Sequence, residues 1–316
     1  MATNPNNILR RSLLYVPSSS PRMLAKSLTL TTDNLTYDLE DSVTPSLKAP
    51  SRAALLTHLT SLPSRPPGVH DVAVRINGAQ TPWHADDVAV LAGCPRVDTI
   101  VIPKVQRGKD VNAVARAISS ARPASLPPVS LLALIESAHA VTKLGGICKA
   151  APGQLSGLVF AAEDYALDVG VRRTGSLREM LYARSAVVTS ARAAGLPCVI
   201  DLVCTAYQGE EGVRRLEEEC RDGRDLGFNG KQCIHPSQVD TVQRMFAPDE
   251  GEVDWAVRVV VANEKAKRAG KGAWTLDGHM IDAPVVGKAG AIIRRASACG
   301  MDTQALREKW KNQEPE

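Results

Sequence analysis

The chain has 316 residues, of which 44% are apolar and 23% are charged, and its formal net charge is +4. This length and apolar fraction allow one large hydrophobic core or two smaller domains. The lysines and arginines are scattered, whereas a nucleic-acid-binding protein concentrates them on one element, so we expect no nucleic-acid partner. No apolar run reaches the roughly 20 residues that a membrane-spanning helix needs, so we expect no membrane partner either.

The cysteines indicate the cellular compartment in which we expect the protein. The seven cysteines include no pair with the CxxC spacing of a zinc knuckle or a redox site. We therefore expect free thiols in a reducing compartment, the cytoplasm. Basic residues that precede the first acid, Asp33, leave the mitochondrial matrix as a second possibility, although the first strand-like run already starts at Leu13.

Short apolar or β-branched runs recur along the sequence and alternate with stretches that can form helices. The runs are 13–16, 34–39, 71–77, 99–105, 130–136, 157–162, 198–203 and 231–235, and the helical stretches between them include 21–31, 51–62, 109–121 and 177–194. Strands that alternate with helices indicate βαβ units and a parallel sheet.

The number of these units favours a TIM (β/α)8 barrel over residues 1–245. Eight units in about 235 residues match this fold, which typically takes about 250. An open doubly wound sheet is the alternative, but it usually has a glycine-rich first turn, and here residues 17–21 read PSSSP. Nearly every run ends in a polar group, as expected where the strand ends of a barrel converge on an active site.

Residues 246–316 are predicted to form a C-terminal helical extension. Helical patterns cover 252–268 and 285–297, with a glycine-flanked segment at 272–284 between them. The tail, 308–316, is expected to be frayed.

Glu136 and Asp164 are the strongest candidates for a metal site. Each follows an apolar run, LLALIE or LVFAAED, and the fifth and sixth strands are neighbours in a barrel. Mg²⁺ commonly takes one or two carboxylates and fills its other positions with water and substrate oxygens. From spacing alone, the two acids can equally cap loops or form ion pairs.

Arg75 and the acids of 38–41 (DLED) are further candidates. A strand arginine is costly to bury unless it faces a carboxylate or a bound anion, so Arg75 can bind a substrate oxyanion or can form an ion pair with Glu40 or Asp41. The acids of this segment, Glu40 and Asp41 among them, can support a metal through water, or they can simply be a solvated strand end.

Lys104, in IPKV, suggests one other chemistry, that of an imine-forming aldolase, although a lysine at a strand end is more often an anion contact. The sequence contains no GxGxxG, no GxxxxGK[ST] and no GxSxG motif. P-loop nucleotide hydrolysis and serine hydrolysis are therefore disfavoured.

A set of nine motifs, read in order from Arg11 to about Ile293, resembles the citrate lyase beta-subunit-like proteins of the HpcH/HpaI aldolase/citrate lyase family. The motifs are RSLLYVPSSSPRMLAKSL, YDLEDSVTPSLK, VRING, VIPKVQ, ALIESA, GLVFAAEDYALDVG, YARSAVV, GFNGKQCIHPSQV and MIDAP. The resemblance implies a TIM barrel that assembles into trimers or hexamers and uses Mg²⁺. It also implies cleavage of citramalyl-CoA, malyl-CoA or citryl-CoA to acetyl-CoA and a 2-oxo acid.

The resemblance also implies roles for individual residues. Glu136 and Asp164 would be the metal ligands, and Arg75 would contact the oxo acid and the thioester oxygen. Asp282, in MIDAP, would be a catalytic acid/base that the C-terminal extension supplies to a neighbouring subunit. Arg22 and Lys26 would meet the phosphates of CoA.

Two departures from the family pattern leave the substrate open. Ala161 stands where the family usually has glycine, and 16–20 reads VPSSS where the family usually has VPG. Two other functions remain as alternatives: a thioesterase or malate synthase-like activity of the same site, and a non-catalytic CoA-binding subunit.

Overall fold

The computed structural model of the protein describes residues 9–316. Each strand of the barrel hydrogen-bonds in parallel to the next, and the eighth pairs with the first, so the predicted TIM barrel is confirmed. The strands are β1 (Ser12–Pro17), β2 (Thr32–Asp38), β3 (Val69–Arg75), β4 (Thr99–Ile102), β5 (Ser130–Ile135), β6 (Leu155–Phe160), β7 (Cys198–Asp201) and β8 (Gly230–Cys233).

Helices cover the outside of the barrel and overlap the predicted helical stretches. They are α1 (Pro21–Ser27), α2 (Lys48–Ser61), α3 (His84–Ala92), α4 (Gly108–Ala121), α5 (Ala138–Thr142), α6 (Leu144–Cys148), α7 (Ala162–Val169), α8 (Leu181–Ala193), α9 (Gly209–Leu226) and α10 (Val239–Met245). Short 3₁₀ turns precede α2, α8 and α10, at Pro45–Leu47, Arg178–Met180 and Pro236–Gln238.

The strands bury both of their faces, so the barrel has two hydrophobic layers. On β5, Leu132 and Leu134 belong to the small cluster inside the barrel, while Leu131, Ala133 and Ile135 belong to the large cluster beneath the helices. This alternation follows from the two-residue period of a strand. It explains why the strand segments read as nearly continuous apolar runs.

The amino-terminal end of the barrel is closed by a buried polar cluster around Arg10. The Arg10 guanidinium donates to Asp71, to Ser156 Oγ at 2.9 Å and to Thr99 Oγ1 at 2.9 Å. Asp71 also accepts from Asn34 Nδ2 at 2.7 Å. The charges of Arg10 and Asp71 are paired with each other, as buried charges require. Through these hydrogen bonds the cluster connects the starts of β2, β3, β4 and β6 to Arg10, which precedes β1.

The chain divides after Phe246, and the second compact unit is Ala247–Glu316. It contains helices α11 (Glu250–Arg268), α12 (Ala283–Ala298) and α13 (Thr303–Lys309) with a hairpin of β9 (Trp274–Leu276) and β10 (His279–Ile281). The glycine-flanked segment is thus a hairpin, because Asp277 and Gly278 both adopt positive φ, 51° and 76°, as a two-residue Asp-Gly turn requires.

The prediction that the tail 308–316 is frayed is wrong. Thr275 and Glu316 exchange two backbone hydrogen bonds, of 3.1 and 3.0 Å, and the Trp310 indole donates to Asp254 at 2.7 Å. The tail is held because it adds backbone pairing to β9 and an aromatic side chain to α11.

Among residues 9–316, no helix combines the length and apolar character that crossing a membrane would require.

Candidate functional site

Two carboxylates meet at the carboxyl end of the barrel, around one ammonium group. Glu136 directly follows β5, and its Oε2 lies 3.0 Å from Lys104 Nζ. Asp164 Oδ1 lies 2.5 Å from the same nitrogen. Glu136 also accepts from the backbone N–H of Lys104, a residue with the unusual φ of 54°. The predicted pair of acids is therefore brought together, with Lys104 as a third member that contacts both.

Asp164 reaches this position from a helix and not from a strand end. β6 stops at Phe160, and Glu163 and Asp164 lie in the first turn of α7. The chain turns earlier than the apolar run LVFAA suggests, and alanine, which has a high helix propensity and is depleted in strands, is compatible with this earlier helix start. In this turn the helix dipole stabilises a carboxylate.

The two acids differ in their surroundings. The Glu136 side chain is 2% exposed and that of Asp164 is 38% exposed. Burial raises the pKa of Glu136, and the nearby Asp164 charge adds to the rise, while hydrogen bonds from Lys104 oppose it. A buried carboxylate of this kind is stabilised in its charged form by a cation.

Arg75, the last residue of β3, is held by the 38–41 segment. Its guanidinium makes two 2.7 Å hydrogen bonds to Asp38, and Nη1 lies 3.1 Å from both Glu40 Oε2 and Asp41 Oδ2. The contacts anticipated with Glu40 and Asp41 are present, and Asp38, with two hydrogen bonds, is the stronger partner. Burial alone would lower the pKa of Arg75, but the Asp38 carboxylate outweighs it and holds that pKa well above its usual range.

The 38–41 segment is itself fixed from behind by a buried lysine. Lys48, at the start of α2, donates to the carbonyls of Leu39 at 2.8 Å and Glu40 at 2.7 Å. The Glu40 side chain is only 9% exposed, and its burial raises its pKa to about 8. The segment is therefore not a solvated strand end, since two of its acids are buried.

Two residues beside Arg75, Tyr15 and Gln232, are not among those predicted from the sequence. The Tyr15 ring lies 4.7 Å from the Arg75 guanidinium carbon, and its hydroxyl donates to Gln232 Oε1 at 2.9 Å. Gln232 in turn donates to the carbonyls of Phe160 and Asp201. Both could have been predicted as polar side chains that face the inside of the barrel from β1 and β8.

Arg75, Asp164, Tyr15 and Gln232 line one cavity of about 420 Å³, whereas Glu136 and Lys104 are not among its described lining residues. Its lining combines charged groups with apolar surface: Tyr15, Pro17, Asp38, Asp41, Ser42, Arg75, Ala161, Ala162, Glu163, Asp164, Val203, Gln232 and Ile234. Ala161, one of the two departures from the family pattern, and Pro17, in the segment of the other, thus line the cavity. Such a cavity, with few polar groups facing the same space, is typical of a small-molecule site.

The donor set suits a hard cation that needs few protein ligands. In the described part of the chain, no group of three or more His, Cys, Asp and Glu side chains converges as a metal cage. Glu136 and Asp164 nonetheless hold one ammonium between them, so the place between them attracts positive charge. Two carboxylates fit Mg²⁺, which usually keeps several water or substrate oxygens.

The other predicted site residues lie elsewhere. Arg22 and Lys26 are exposed on α1, one helical turn apart, and are not among the described residues that line the cavity. Asp282 belongs to the second unit, where it caps α12 and accepts a 3.2 Å hydrogen bond from the N–H of Val285.

Known proteins are similar in sequence to this chain over most of its length. A citrate lyase subunit beta from Leuconostoc mesenteroides subsp. cremoris is 33% identical over 296 residues, 93% of this chain and 95% of that protein. A (3S)-malyl-CoA thioesterase from Cereibacter sphaeroides is 36% identical over 272 residues, 86% of this chain and 89% of that protein.

A solved structure matches the fold. The crystal structure of CitE from Mycobacterium tuberculosis in complex with magnesium, acetoacetate and coenzyme A superposes with a TM-score of 0.72 and is 29% identical. The match covers 92% of this chain and 99% of that one. The metal in that complex is the predicted cofactor.

Residues 11–236 match the family HpcH/HpaI aldolase/citrate lyase. The chain is therefore a lyase-type enzyme that belongs to the HpcH/HpaI aldolase/citrate lyase family.

Proposed function

We propose that this protein is a Mg²⁺-dependent carbon–carbon lyase that cleaves a β-hydroxyacyl-CoA to acetyl-CoA and a 2-oxo acid. The observation that carries the proposal is the pair Glu136 and Asp164, which both contact the ammonium group of Lys104 at the carboxyl end of the barrel, while Asp164 and Arg75 line the same cavity. The magnesium, acetoacetate and coenzyme A bound to the similar CitE support it.

Glu136 and Asp164 are the residues that would hold the metal. When bound, Mg²⁺ supplies Lewis-acid polarisation of the carboxylate and hydroxyl oxygens of the substrate. Because Glu136 is buried and Asp164 is partly exposed, the open side of the pair faces the cavity and leaves room for substrate oxygens.

Arg75 would stabilise the charge that develops during cleavage. Transfer of the hydroxyl proton to a general base and rupture of the C–C bond give a 2-oxo acid and the enolate of acetyl-CoA. The Arg75 guanidinium lines the cavity, and the Asp38 carboxylate and the Tyr15 ring fix its orientation. A fixed cation at the enolate oxygen lowers the barrier without any reorganisation.

Asp282 would return a proton to the enolate carbon, or remove it in the reverse direction. We propose that it acts in a neighbouring subunit of a homotrimer or hexamer, with Arg22 and Lys26 near the CoA phosphates. Among the substrates, citramalyl-CoA or malyl-CoA is favoured, because the chain includes the MIDAP segment that carries this acid.

The thioesterase alternative has one specific observation in its favour, the 36% identity to a (3S)-malyl-CoA thioesterase. In that reaction water intercepts the acyl-CoA and free CoA is released. An assay that separates free CoA from acetyl-CoA distinguishes the two reactions.

The imine-forming alternative is disfavoured by the surroundings of Lys104. A Schiff-base lysine attacks as the neutral amine, whereas both side-chain contacts of Lys104 Nζ are carboxylates that stabilise the ammonium. Borohydride trapping of pyruvate on Lys104, unaffected by EDTA, would restore this alternative.

The deciding experiment is a panel assay with citramalyl-CoA, malyl-CoA and citryl-CoA, each with Mg²⁺ and with EDTA. We expect acetyl-CoA from at least one substrate and none in EDTA. Glu136→Gln and Asp164→Asn should each lower kcat by about 10³-fold or more, whereas the matched control Glu264→Gln, an exposed acid of α11 paired with Arg307, should not. Acetyl-CoA formation from none of the three substrates would refute the proposal, and a non-catalytic CoA-binding subunit would then account for the fold.

A further inference from the structure

One arginine that takes no part in the proposed reaction connects two segments that line the cavity. Arg173, in the loop after α7, donates to Glu163 Oε1 at 2.5 Å and to the carbonyl of Val203 at 2.8 Å. Glu163 and Val203 both line the cavity. A single guanidinium therefore connects the first turn of α7 with the segment that follows β7.

Arg173 is anchored to the barrel wall through a buried acid. Its Nη2 lies 3.0 and 3.1 Å from the two oxygens of Glu219, on α9. Glu219 also meets Lys231 Nζ at 3.1 Å, and Lys231, on β8, is 0% exposed. Burial alone would raise the pKa of Glu219, but Lys231 and Arg173 outweigh it and hold that pKa below its usual range. The anchor is thus a charged carboxylate on rigid elements.

The first turn of α7 is held by the apolar packing of Ala162 and Tyr165 and by two charged contacts, and only the charged contacts act on its acids. Its N-cap residue, Ala161, makes no side-chain capping hydrogen bond. The helix has only 8 residues. On one side of this turn Asp164 faces Lys104, and on the other side Glu163 faces Arg173. The planar fork of an arginine holds its partners in a defined geometry, which a single hydrogen bond does not.

We propose that Arg173 is a positioning residue: through Glu163 it fixes the first turn of α7 and thereby aims the Asp164 carboxylate at the cation site. The inference rests on the proposed function, in that Asp164 is taken as a metal ligand. Arg173 itself touches neither the cation site nor Asp164; its effect passes through Glu163 and the backbone of the turn.

The sign of the effect separates positioning from simple electrostatics. Arg173→Gln removes a positive charge near the cation site, and Coulomb repulsion alone then predicts tighter Mg²⁺ binding. Positioning predicts weaker binding, by about 10- to 100-fold, as found for residues that orient metal ligands. Arg173→Lys keeps the charge and loses the fork, so it should weaken Mg²⁺ binding by about 3- to 10-fold.

Arg184 offers a matched control. It is a buried arginine on α8 that pairs with buried Asp201 and partly exposed Asp222. Neither partner is among the described residues that line the cavity. Arg184→Gln removes the same charge and the same kind of ion pair, so it should lower Tm but leave the Mg²⁺ Kd within about twofold of wild type.

The experiment is isothermal titration calorimetry of Mg²⁺ with the full-length variants, together with Tm and with hydrogen exchange of the α7 amides. Faster exchange of the first-turn amides is expected in Arg173→Gln and not in Arg184→Gln. Because Glu163 is exposed, Glu163→Ala will fold, and the double variant should bind Mg²⁺ no more weakly than Arg173→Gln, since both act through one contact.

Several outcomes would overturn the inference. They are an Arg173→Gln Kd equal to or tighter than wild type, an equal loss in Arg184→Gln, and fully additive losses in the double variant. If wild type binds no Mg²⁺, the proposed function fails, and the exchange of the α7 amides alone then decides the role of Arg173. If Arg173→Gln does not fold, the comparison passes to Arg173→Lys and Glu163→Ala.

Discussion

At the scale of single residues, the site is organised by what holds each charge. Arg75 meets one acid through two hydrogen bonds and one aromatic ring through its face. Glu136 and Asp164 share Lys104, and Glu163 shares Arg173 with Glu219. The residues that carry charge into the cavity are therefore each oriented by a partner on another element.

Tyr15 provides a test of the orientation of Arg75. Tyr15→Leu removes the ring beneath the guanidinium and should lower kcat/KM by about 2- to 30-fold, the equivalent of the roughly 0.5–2 kcal/mol of a cation–π contact. Tyr15→Phe keeps the ring and loses only the hydrogen bond to Gln232, so its kcat/KM should stay close to that of wild type. Steady-state kinetics of both variants checks this. Equal losses in the two variants would show that the hydroxyl matters and not the ring.

Glu40 provides a test of pH dependence. Its pKa in the folded protein is raised to about 8, chiefly by burial, which outweighs the opposing attraction of Arg75. The folded protein then keeps a proton that the unfolded chain releases above its ordinary pKa of 4.5. The free energy of unfolding should therefore fall as the pH rises from 4.5 to about 8, by at most about 5 kcal/mol at about 1.4 kcal/mol per pKa unit.

Urea unfolding in EDTA at pH 5 and pH 8 measures this effect against Glu40→Gln. The variant lacks the titrating group, so its stability should change less over this range than that of wild type. Parallel pH profiles for the two proteins would contradict the raised pKa.

At the scale of elements, the strands and most of the helices were predictable from the sequence, but the start of α7, which carries Asp164, was not. The predicted runs 71–77, 99–105 and 130–136 extend one to three residues beyond the observed ends of β3, β4 and β5 and contain Arg75, Lys104 and Glu136, because the polar site residues lie at or just after the points where apolar strands stop. Asp164 lies in a helix, and the two alanines before it favour a helix over a strand, although they read as part of the apolar run in the sequence. Arg173 could not be identified from the sequence, because its contacts depend on the tertiary structure. Its partner Glu163 lies in α7, and its partner Glu219 lies 46 residues away, on α9.

Close approach of β6 and β7 gives a prediction at this scale. A Cβ at Gly157 would lie 2.4 Å from the carbonyl oxygen of Cys198 and 2.7 Å from its Cβ. Gly157→Ala should therefore destabilise the fold by about 1–3 kcal/mol through overpacking. Denaturant unfolding measures it. Gly145→Ala, a helical position with open space around it, is the control and should be neutral or stabilising by up to about 1 kcal/mol. Equal stability of the two variants would contradict the steric argument.

At the scale of the whole molecule, the site is proposed to draw on two copies of the chain. Glu136 belongs to the barrel unit and Asp282 to the unit Ala247–Glu316. If Asp282 acts in a neighbouring subunit, separately inactive Glu136→Gln and Asp282→Asn proteins should regain activity when their subunits are mixed. Random mixing in equal amounts restores about a quarter of the sites in a ring assembly.

The measurement is lyase activity after dissociation and reassembly of the mixed subunits, with each variant alone as the control. No recovery in mixed assemblies that are shown to form would place Asp282 in the site of its own subunit or outside the chemistry altogether.

The sequence by itself determined the βα periodicity, the eight strands and the family, because these follow from local apolar patterns and from motifs in a set order. It also indicated that Glu136 and Asp164 come together, since strand ends of a barrel converge. Only the tertiary structure decided which charges meet: that Asp38 and Tyr15 hold Arg75, that Lys104 joins Glu136 to Asp164, and that Arg173 supports α7. Such pairs join residues far apart in sequence, and their contact depends on how the barrel closes.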